Sequence, residues 1–182
     1  ANFGKPGTKN AWNSVLKTIL NIQSNRFTNA NHLLILGHFD FDIIDFKMSD
    51  DNIEKKLRKK VNTIDNEVTH LVHLIKKNGK TPIAIGGGHN NAYGLIKGCA
   101  LALKSKVNTI NFDAHTDLRA LEGRHSGNGF SYAMDEGFLK RYFIFGVHEN
   151  YTSESIYNSI ENNKNIDYIS FESIDVRQEI SF

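Results

Sequence analysis

VNTINFDAHTD, residues 107–117, joins a short apolar strand directly to two acidic side chains and a histidine. In extended chain, the period of two would place Asp113, His115 and Asp117 on one face. Carboxylate oxygen and imidazole nitrogen are ligands that suit Mn²⁺, Zn²⁺ or Fe²⁺. The segment therefore predicts a divalent-metal site at the end of a strand. The alternative is a solvated acidic turn.

A second polar segment follows another predicted strand. Residues 81–85 predict a short buried strand, with Pro82 tolerated at its beginning, and the sequence GGGH of residues 86–89 comes next. The glycines allow positive φ and close backbone approach. From a neighbouring strand end, His89 would be a fourth metal ligand; alone, it would be a hydrogen-bonded structural histidine. A phosphate-binding loop is disfavoured, because the G-x-x-x-x-G-K-[ST] pattern is absent.

Predicted strands and helices alternate along the chain. Hydrophobic periodicity predicts helices over residues 10–22, 52–78, 91–104 and 152–163, and strands over residues 32–37, 81–85, 107–112, 142–147 and 166–171. This alternation predicts an α/β fold with a mainly parallel sheet, and we expect residues 1–182 to form one domain. Ligands bind at the carboxyl ends of the strands in such sheets, and both polar segments follow strand ends.

The composition disfavours several other classes of protein. The 182 residues include 22 basic and 20 acidic side chains, and a net charge of +2 gives no general attraction for nucleic acid or an anionic membrane. The single cysteine, Cys99, excludes an intrachain disulfide and a cysteine-cluster metal site. No apolar run approaches the roughly 18–20 residues of a membrane span. We expect a cytoplasmic protein.

Two motifs together resemble the ureohydrolase family, which includes arginases, agmatinases and formimidoylglutamases. They are GGGHNNAYG at residues 86–94 and NFDAHTDLR at residues 111–119. EGRHSGNGFSYA at residues 122–133 and FGVHENYTS at residues 145–153 are most similar to formimidoylglutamases. The resemblance implies a three-layer α/β/α arginase-like fold and a centre of two Mn²⁺ ions. It implies four metal ligands, with the first aspartate bridging the ions: Asp113, His89, His115 and Asp117.

One departure from the family concerns the metal ligands. The family takes two further aspartates from a later S-x-D-x-D motif, and no D-x-D follows Asp117 here. Two Mn²⁺ ions bring about four positive charges, so a dry site needs more carboxylate than the two aspartates supply. Glu149, Glu172 and Asp175 are poor substitutes. We therefore expect an internal piece of a longer enzyme, incomplete at both ends of the fold, with weak or no activity by itself.

A second departure concerns proton transfer. Arginases carry a catalytic histidine shortly after the S-G-N triplet, and Phe130 occupies that position here. This argues against arginase itself and agrees with the formimidoylglutamase pattern. His125 is then a candidate catalytic residue by its proximity in sequence.

The substrate that the resemblance implies, N-formimidoyl-L-glutamate, has two carboxylates. The guanidinium fork matches a carboxylate, so Arg119 and Arg124 are candidate substrate ligands, although surface salt bridges are the alternative. Ser126 and Asn128 resemble the family's substrate-contacting loop, although SGNG is also a common turn sequence.

The resemblance thus implies hydrolysis of a C–N bond in a linear amidine. The leading prediction is conversion of N-formimidoyl-L-glutamate to L-glutamate and formamide in histidine degradation. Another ureohydrolase, such as an agmatinase or guanidino-acid hydrolase, and a catalytically inactive metal-binding family member are the alternatives. We expect a small-molecule substrate, no nucleic-acid or membrane partner, and a homo-oligomer in the complete protein.

Overall fold

A parallel three-stranded sheet lies at the centre of the computed structural model, which describes residues 7–41 and 52–179. Its strands are β1 (Val107–Phe112), β2 (Leu139–Val147) and β3 (Ile166–Ser170), in the order β1-β2-β3. β1 pairs with β2 from Val107↔Leu139 onward, and β2 pairs with β3. The three strand predictions for this part of the chain and the parallel α/β arrangement are confirmed.

Five α-helices accompany the sheet in the described residues: α1 (Ala11–Leu20), α2 (Ile53–Lys77), α3 (Asn91–Leu103), α4 (Gly129–Asp135) and α5 (Glu154–Glu161). Four of them match the predicted helices, whereas α4, which links β1 to β2, was not predicted. Short 3₁₀ turns occupy Ser126–Asn128 and Glu149–Tyr151, and a π-helical turn occupies Glu172–Val176. Within the described ranges, no helix has both the length and the apolar character needed to cross a bilayer.

The hydrophobic core lies between one face of the sheet and α3, α4 and α5. Tyr142 and Ile144 of β2 are buried against Ile96 of α3, Phe130 of α4 and Ile160 of α5. Alternate residues of a strand point to opposite faces, which explains the periodic burial along β2.

The opposite face of the sheet is largely open along β1. Ile110 and Phe112 of that strand are 62% and 76% exposed. A second helical layer, as in a three-layer α/β/α fold, would cover these side chains.

Helices α2 and α3 pack closely because α3 carries two glycines on the contacting face. A Cβ atom at Gly94 would lie 2.8 Å from Val68 Cγ1, and one at Gly98 would lie 2.7 Å from the carbonyl oxygen of Thr69 and from Val72 Cβ. The missing side chains let the two helix backbones approach. This contact places the amino end of α3, and therefore the preceding His89, against the rest of the domain.

Two predicted strands are wrong. Ala30–His32 forms a 3₁₀ turn, residues 33–41 have no regular secondary structure, and Leu34 is 75% exposed. Residues 81–85 are also irregular, and Ile83 is 75% exposed. An apolar run becomes a strand only where a neighbour supplies its ladder hydrogen bonds, and the described ladders join only β1, β2 and β3.

Candidate metal centre

The predicted metal ligands meet at the carboxyl end of β1. Asp113 follows the last residue of that strand, and its backbone N–H donates to the carbonyl of Phe145 in β2 at 3.2 Å. The N–H of His148, just after β2, donates to the carbonyl of Ala114 at 3.0 Å. The end of β2 therefore holds the segment that carries the acidic side chains.

His89 reaches this segment from the loop before α3. Its Nδ1 atom lies 2.5 Å from Asp117 Oδ2 and 3.2 Å from Asp113 Oδ2. Within the described residues, these three side chains form the group whose candidate ligand atoms all lie within 4.8 Å of one another. His115 stands beside the group, with its Nδ1 atom 3.3 Å from Asp113 Oδ1.

Left-handed backbone conformations aim these side chains. Gly86 and Gly87 have φ angles of +80° and +75°, which glycine adopts without steric cost and which turn the chain toward His89. Asp117 also has a positive φ angle, +50°. Aspartate is among the few residues that tolerate this region, although at some cost, so the surrounding structure holds the backbone there.

The carboxylates and the imidazole stabilise one another's charged forms. Hydrogen bonds to Asp113 and Asp117 outweigh burial and raise the pKa of His89 to about 9. Burial opposes ionisation of Asp113, but the hydrogen bonds from His89 and from the His115 backbone N–H outweigh it and lower the Asp113 pKa to about 2. Near neutral pH the protonated imidazole thus offsets part of the negative charge of the two carboxylates, and a divalent cation at the same place would displace that proton.

A buried tyrosine supports the loop from below. The hydroxyl of Tyr142 donates to the carbonyl of Thr116 at 2.9 Å and accepts from Asn111 Nδ2 at 3.1 Å. Burial strongly raises the pKa of Tyr142, so this hydroxyl stays protonated. Phe130 stacks on Tyr142 at 4.2 Å and meets the His89 ring edge-on at 5.7 Å. Phe130 is thus part of the floor beneath the cluster.

A cleft of about 430 Å³ opens over the cluster. Of the predicted substrate-binding residues, Arg119 and Ser126 line it together with the metal-ligand candidates. The Nη2 atom of Arg119 lies 3.4 Å from Glu122 Oε1, and the Arg119 backbone N–H donates to the carbonyl of Gly127 at 3.0 Å. These two residues remain candidates for contact with a substrate.

Arg124, predicted to hold a substrate carboxylate, is instead buried in the protein. Its side chain is 4% exposed, and Nε donates to Asp65 Oδ2 of α2 at 2.9 Å. The guanidinium also donates to the carbonyl of Asn90 at 3.0 Å, and the Tyr93 and Tyr132 rings lie on it at 4.9 and 5.3 Å. With its donors engaged by protein groups, Arg124 braces α2 against the start of α3.

Asn128 and His125 belong to the same buried support. Asn128 is fully buried; its Oδ1 atom accepts from Arg124 and from the backbone N–H of His125, and its amide donates to the carbonyls of Ala120 and Gly123. His125 is 2% exposed, its Nδ1 accepts from the Gly127 N–H, and burial lowers its pKa. Its Nε2 atom lies 3.1 Å from Glu122. Neither side chain lines the cleft in the structure, so both shape the loop that carries Ser126.

The acidic residues considered as substitutes for later metal ligands are engaged elsewhere. Glu149 pairs with Arg177 at 2.6 Å and accepts from the Ser170 hydroxyl at 2.8 Å. Glu172 accepts from the Glu149 backbone N–H at 3.1 Å, and Asp175 lies in the π-helical turn. This network of hydrogen bonds lies at the end of β3. The carboxylates of the described cluster are therefore those of Asp113 and Asp117.

Comparison with known proteins agrees with this geometry. The family model described as the arginase family matches residues 1–180. The chain belongs to the arginase family. Its α/β architecture is accordingly the arginase-like fold, and the expected membership of the ureohydrolases is confirmed.

Several individual proteins are similar to this chain. A formimidoylglutamase of Streptococcus pyogenes is 30% identical over 132 residues, which cover 68% of this chain and 39% of the relative. The chain thus spans about two fifths of the length of the curated relatives that it matches. A presumed agmatinase from Clostridium difficile superposes with a TM-score of 0.66 at 17% identity, over 95% of this chain and 60% of that one.

A formiminoglutamase of Trypanosoma cruzi, solved with Mn²⁺, superposes with a TM-score of 0.54 at 20% identity. That comparison covers 70% of this chain and 42% of the other. At these identities, the two solved structures show the fold.

Three residues after β2 line the cleft although they were not predicted as site residues: Tyr151, Ser153 and Ile156. They follow the carboxyl end of β2, as the ligand segment follows the carboxyl end of β1. The rule that placed the site at strand ends also covers FGVHENYTS at residues 145–153, which contains Tyr151 and Ser153, whereas Ile156 lies beyond that segment in α5 and had no such signal.

Proposed function

We propose that this chain carries part of the metal centre and substrate cleft of an enzyme that hydrolyses N-formimidoyl-L-glutamate to L-glutamate and formamide. The cluster of His89, Asp113 and Asp117 at the floor of a cleft carries the proposal. The similarity to curated formimidoylglutamases favours this substrate within the family. The single domain, the cytoplasmic location and the homo-oligomer stay predictions.

The donor atoms of the cluster fit a manganese ion. One imidazole and two carboxylates combine the nitrogen and oxygen ligands that Mn²⁺ accepts, and they bring two negative charges toward its two positive ones. His89, Asp113 and Asp117 would hold one ion, and Asp113 with His115 would hold part of a second. A bound Mn²⁺ ion would supply Lewis acidity, which lowers the pKa of water and so makes hydroxide available near neutral pH for hydrolysis of an amidine.

The residues of this chain would bind and orient the substrate. Arg119 stands at the cleft with a guanidinium that matches a carboxylate in shape and charge, so it would hold one carboxylate of formimidoylglutamate. Ser126 offers a hydroxyl on the same wall. The buried side chains of Arg124, His125 and Asn128 form hydrogen bonds that support the loop carrying Ser126.

The experiment is a product assay on the natural full-length protein loaded with Mn²⁺. N-formimidoyl-L-glutamate, agmatine and a guanidino acid are offered separately, and formamide, glutamate and urea are quantified. Formamide and glutamate in equal amounts support the proposal. Urea from a guanidino substrate without formamide overturns it in favour of another ureohydrolase, and retained Mn²⁺ without any product overturns it in favour of an inactive metal-binding member.

A matched pair of variants tests the role of Arg119. Arg119→Lys keeps the charge and loses the planar fork, whereas Arg119→Gln loses both. We expect KM to rise about tenfold for lysine and further for glutamine, with a smaller effect on kcat, since the contact lies away from the reacting carbon. An unchanged KM in both variants would exclude Arg119 from substrate binding.

A further inference from the structure

A continuous stack of aromatic rings runs from the metal-ligand candidates to the end of β3. The His115 ring lies on Tyr151 with centroids 5.2 Å apart and planes 19° apart. Tyr151 lies in turn on His148 at 5.1 Å and 27°, and His148 lies on Phe171 at 4.7 Å and 18°. The Tyr151 ring therefore contacts two histidine rings, and the residue lines the cleft.

The stack is fixed by the backbone on which it stands. Tyr151 ends the 3₁₀ turn Glu149–Tyr151, and its N–H donates to the carbonyl of His148 at 3.0 Å. His148 donates from its own N–H to Ala114, inside the ligand segment, and its Nδ1 atom lies 3.6 Å from Glu172. The end of β2 thus holds Tyr151 in place although 61% of this residue is exposed.

His115 is the ligand candidate with the weakest support of its own. Its side chain is 61% exposed, compared with 40% for His89 and 12% for Asp117, and it stands outside the compact group of three. An exposed side chain loses rotamer freedom when it binds a metal ion, which costs entropy. A neighbouring group that already restricts the side chain removes part of that entropic cost. The Tyr151 ring is such a neighbour.

We propose that Tyr151 is a positioning residue, which fixes the plane of the His115 imidazole by ring stacking and so prepares it to bind a divalent cation. The inference rests on the proposed function in one respect, the assignment of His115 as a metal ligand. It predicts that the aromatic ring of Tyr151 matters and that its hydroxyl does not. Residues that orient a metal ligand typically change metal affinity about 10–100-fold when they are lost.

The first test needs no metal and no turnover. In metal-free protein labelled with ¹³C in the histidine rings, the Tyr151 ring current displaces the His115 Cε1–H resonance. We expect Tyr151→Ala to move this resonance toward its position in an unstructured peptide and Tyr151→Phe to leave it in place. His115→Ala assigns the resonance, and circular dichroism confirms that each variant is folded. A His115 resonance that stays in place in Tyr151→Ala overturns the proposal.

The second test measures Mn²⁺ binding by calorimetry in the natural full-length protein. We expect Tyr151→Ala to lower the affinity for the more weakly bound Mn²⁺ ion about tenfold. The affinity of Tyr151→Phe should remain within about twofold of the wild-type value. Equal loss in both variants assigns the effect to the hydroxyl and overturns the proposal, as does wild-type affinity in Tyr151→Ala. A wild-type protein that binds Mn²⁺ but releases no formamide contradicts the proposed reaction and leaves the role of Tyr151 standing.

Discussion

Replacing Asp65 with alanine would leave the guanidinium of Arg124 buried without its carboxylate. The two side chains are 3% and 4% exposed, and the pair joins α2 to the loop that carries Ser126. Burial outweighs the attraction of Arg124 and raises the pKa of Asp65 to about 6, so the carboxylate is ionised at pH 7.5. Removing one partner of a buried pair costs about 3–5 kcal/mol.

The contacts that remain place the expected loss at the lower end of that range. Arg124 would keep the carbonyls of Asn90 and His125 and the amide oxygen of Asn128 as acceptors. We therefore expect Asp65→Ala to lower the free energy of unfolding by about 3 kcal/mol. Asp65→Asn keeps an acceptor for Nε and should lose about 1–2 kcal/mol.

Urea denaturation followed by circular dichroism at pH 7.5 measures both losses in the natural full-length protein. Glu67→Ala, an exposed acidic position on the same helix, is the matched control and should change the free energy by less than about 0.5 kcal/mol. The double variant Asp65→Leu with Arg124→Met should be less destabilised than Asp65→Ala, because it buries no unpaired charge. A loss below about 1 kcal/mol for Asp65→Ala would show that Arg124 does not depend on this carboxylate.

Three further predictions concern packing, pH and the loop. Gly98→Ala should cost about 1–3 kcal/mol in urea denaturation, because its Cβ would lie 2.7 Å from α2; an unchanged midpoint would contradict the close contact. The free energy of unfolding of the metal-free protein should fall by about 1–2 kcal/mol between pH 6.5 and 9, because the raised pKa of His89 stabilises the fold only while the imidazole is protonated. The loss is modest because solvent screens this partly exposed side chain. His89→Asn should flatten the dependence of stability on pH, and equal slopes in both proteins would contradict this role of His89. Tyr142→Phe should cost about 2 kcal/mol, because the Thr116 carbonyl and the Asn111 amide lose a buried partner, and it should weaken Mn²⁺ binding in calorimetry about tenfold; wild-type affinity would show that the loop needs no such support.

The strand β1 and the site that follows it could be predicted from sequence because their signals are local. The apolar run 107–112 ends where polar ligands begin, and the structure gives the strand the same bounds. The three glycines before His89 indicate an unusual backbone, and two of them have positive φ angles. His89 lies beside Asp113 and Asp117 as predicted, although residues 81–85, the strand expected to place it there, have no regular secondary structure.

The sequence could not indicate that Arg119 lines the cleft whereas Arg124 is buried. Both flank the ligand segment, and both carry the same chemistry. The difference lies in a contact 59 positions away, since Asp65 on α2 draws Arg124 into the interior while Arg119 stays at the cleft. Such long-range pairing has no local signature in the sequence.

The failed strands have a similar cause. The predicted strands over residues 32–37 and 81–85 have the apolar character of buried strands, but that character specifies burial and not the neighbour that provides it. The exposed apolar side chains of β1, Ile110 and Phe112, lack cover in the described structure as well. Secondary structure that depends on a partner strand follows from the assembled sheet and not from the segment alone.

In the proposed metal centre, His89, Asp113 and Asp117 would together hold a divalent cation. Equilibrium dialysis against Mn²⁺, with the bound metal counted per chain, tests it in the natural full-length protein. Asp117→Asn removes one ligand charge and keeps a residue that tolerates the positive φ angle, while His70→Ala alters an exposed histidine on α2 as a control. We expect wild type and His70→Ala to retain the same amount of Mn²⁺, and Asp117→Asn to retain at least one ion fewer. Equal retention in all three proteins would contradict it.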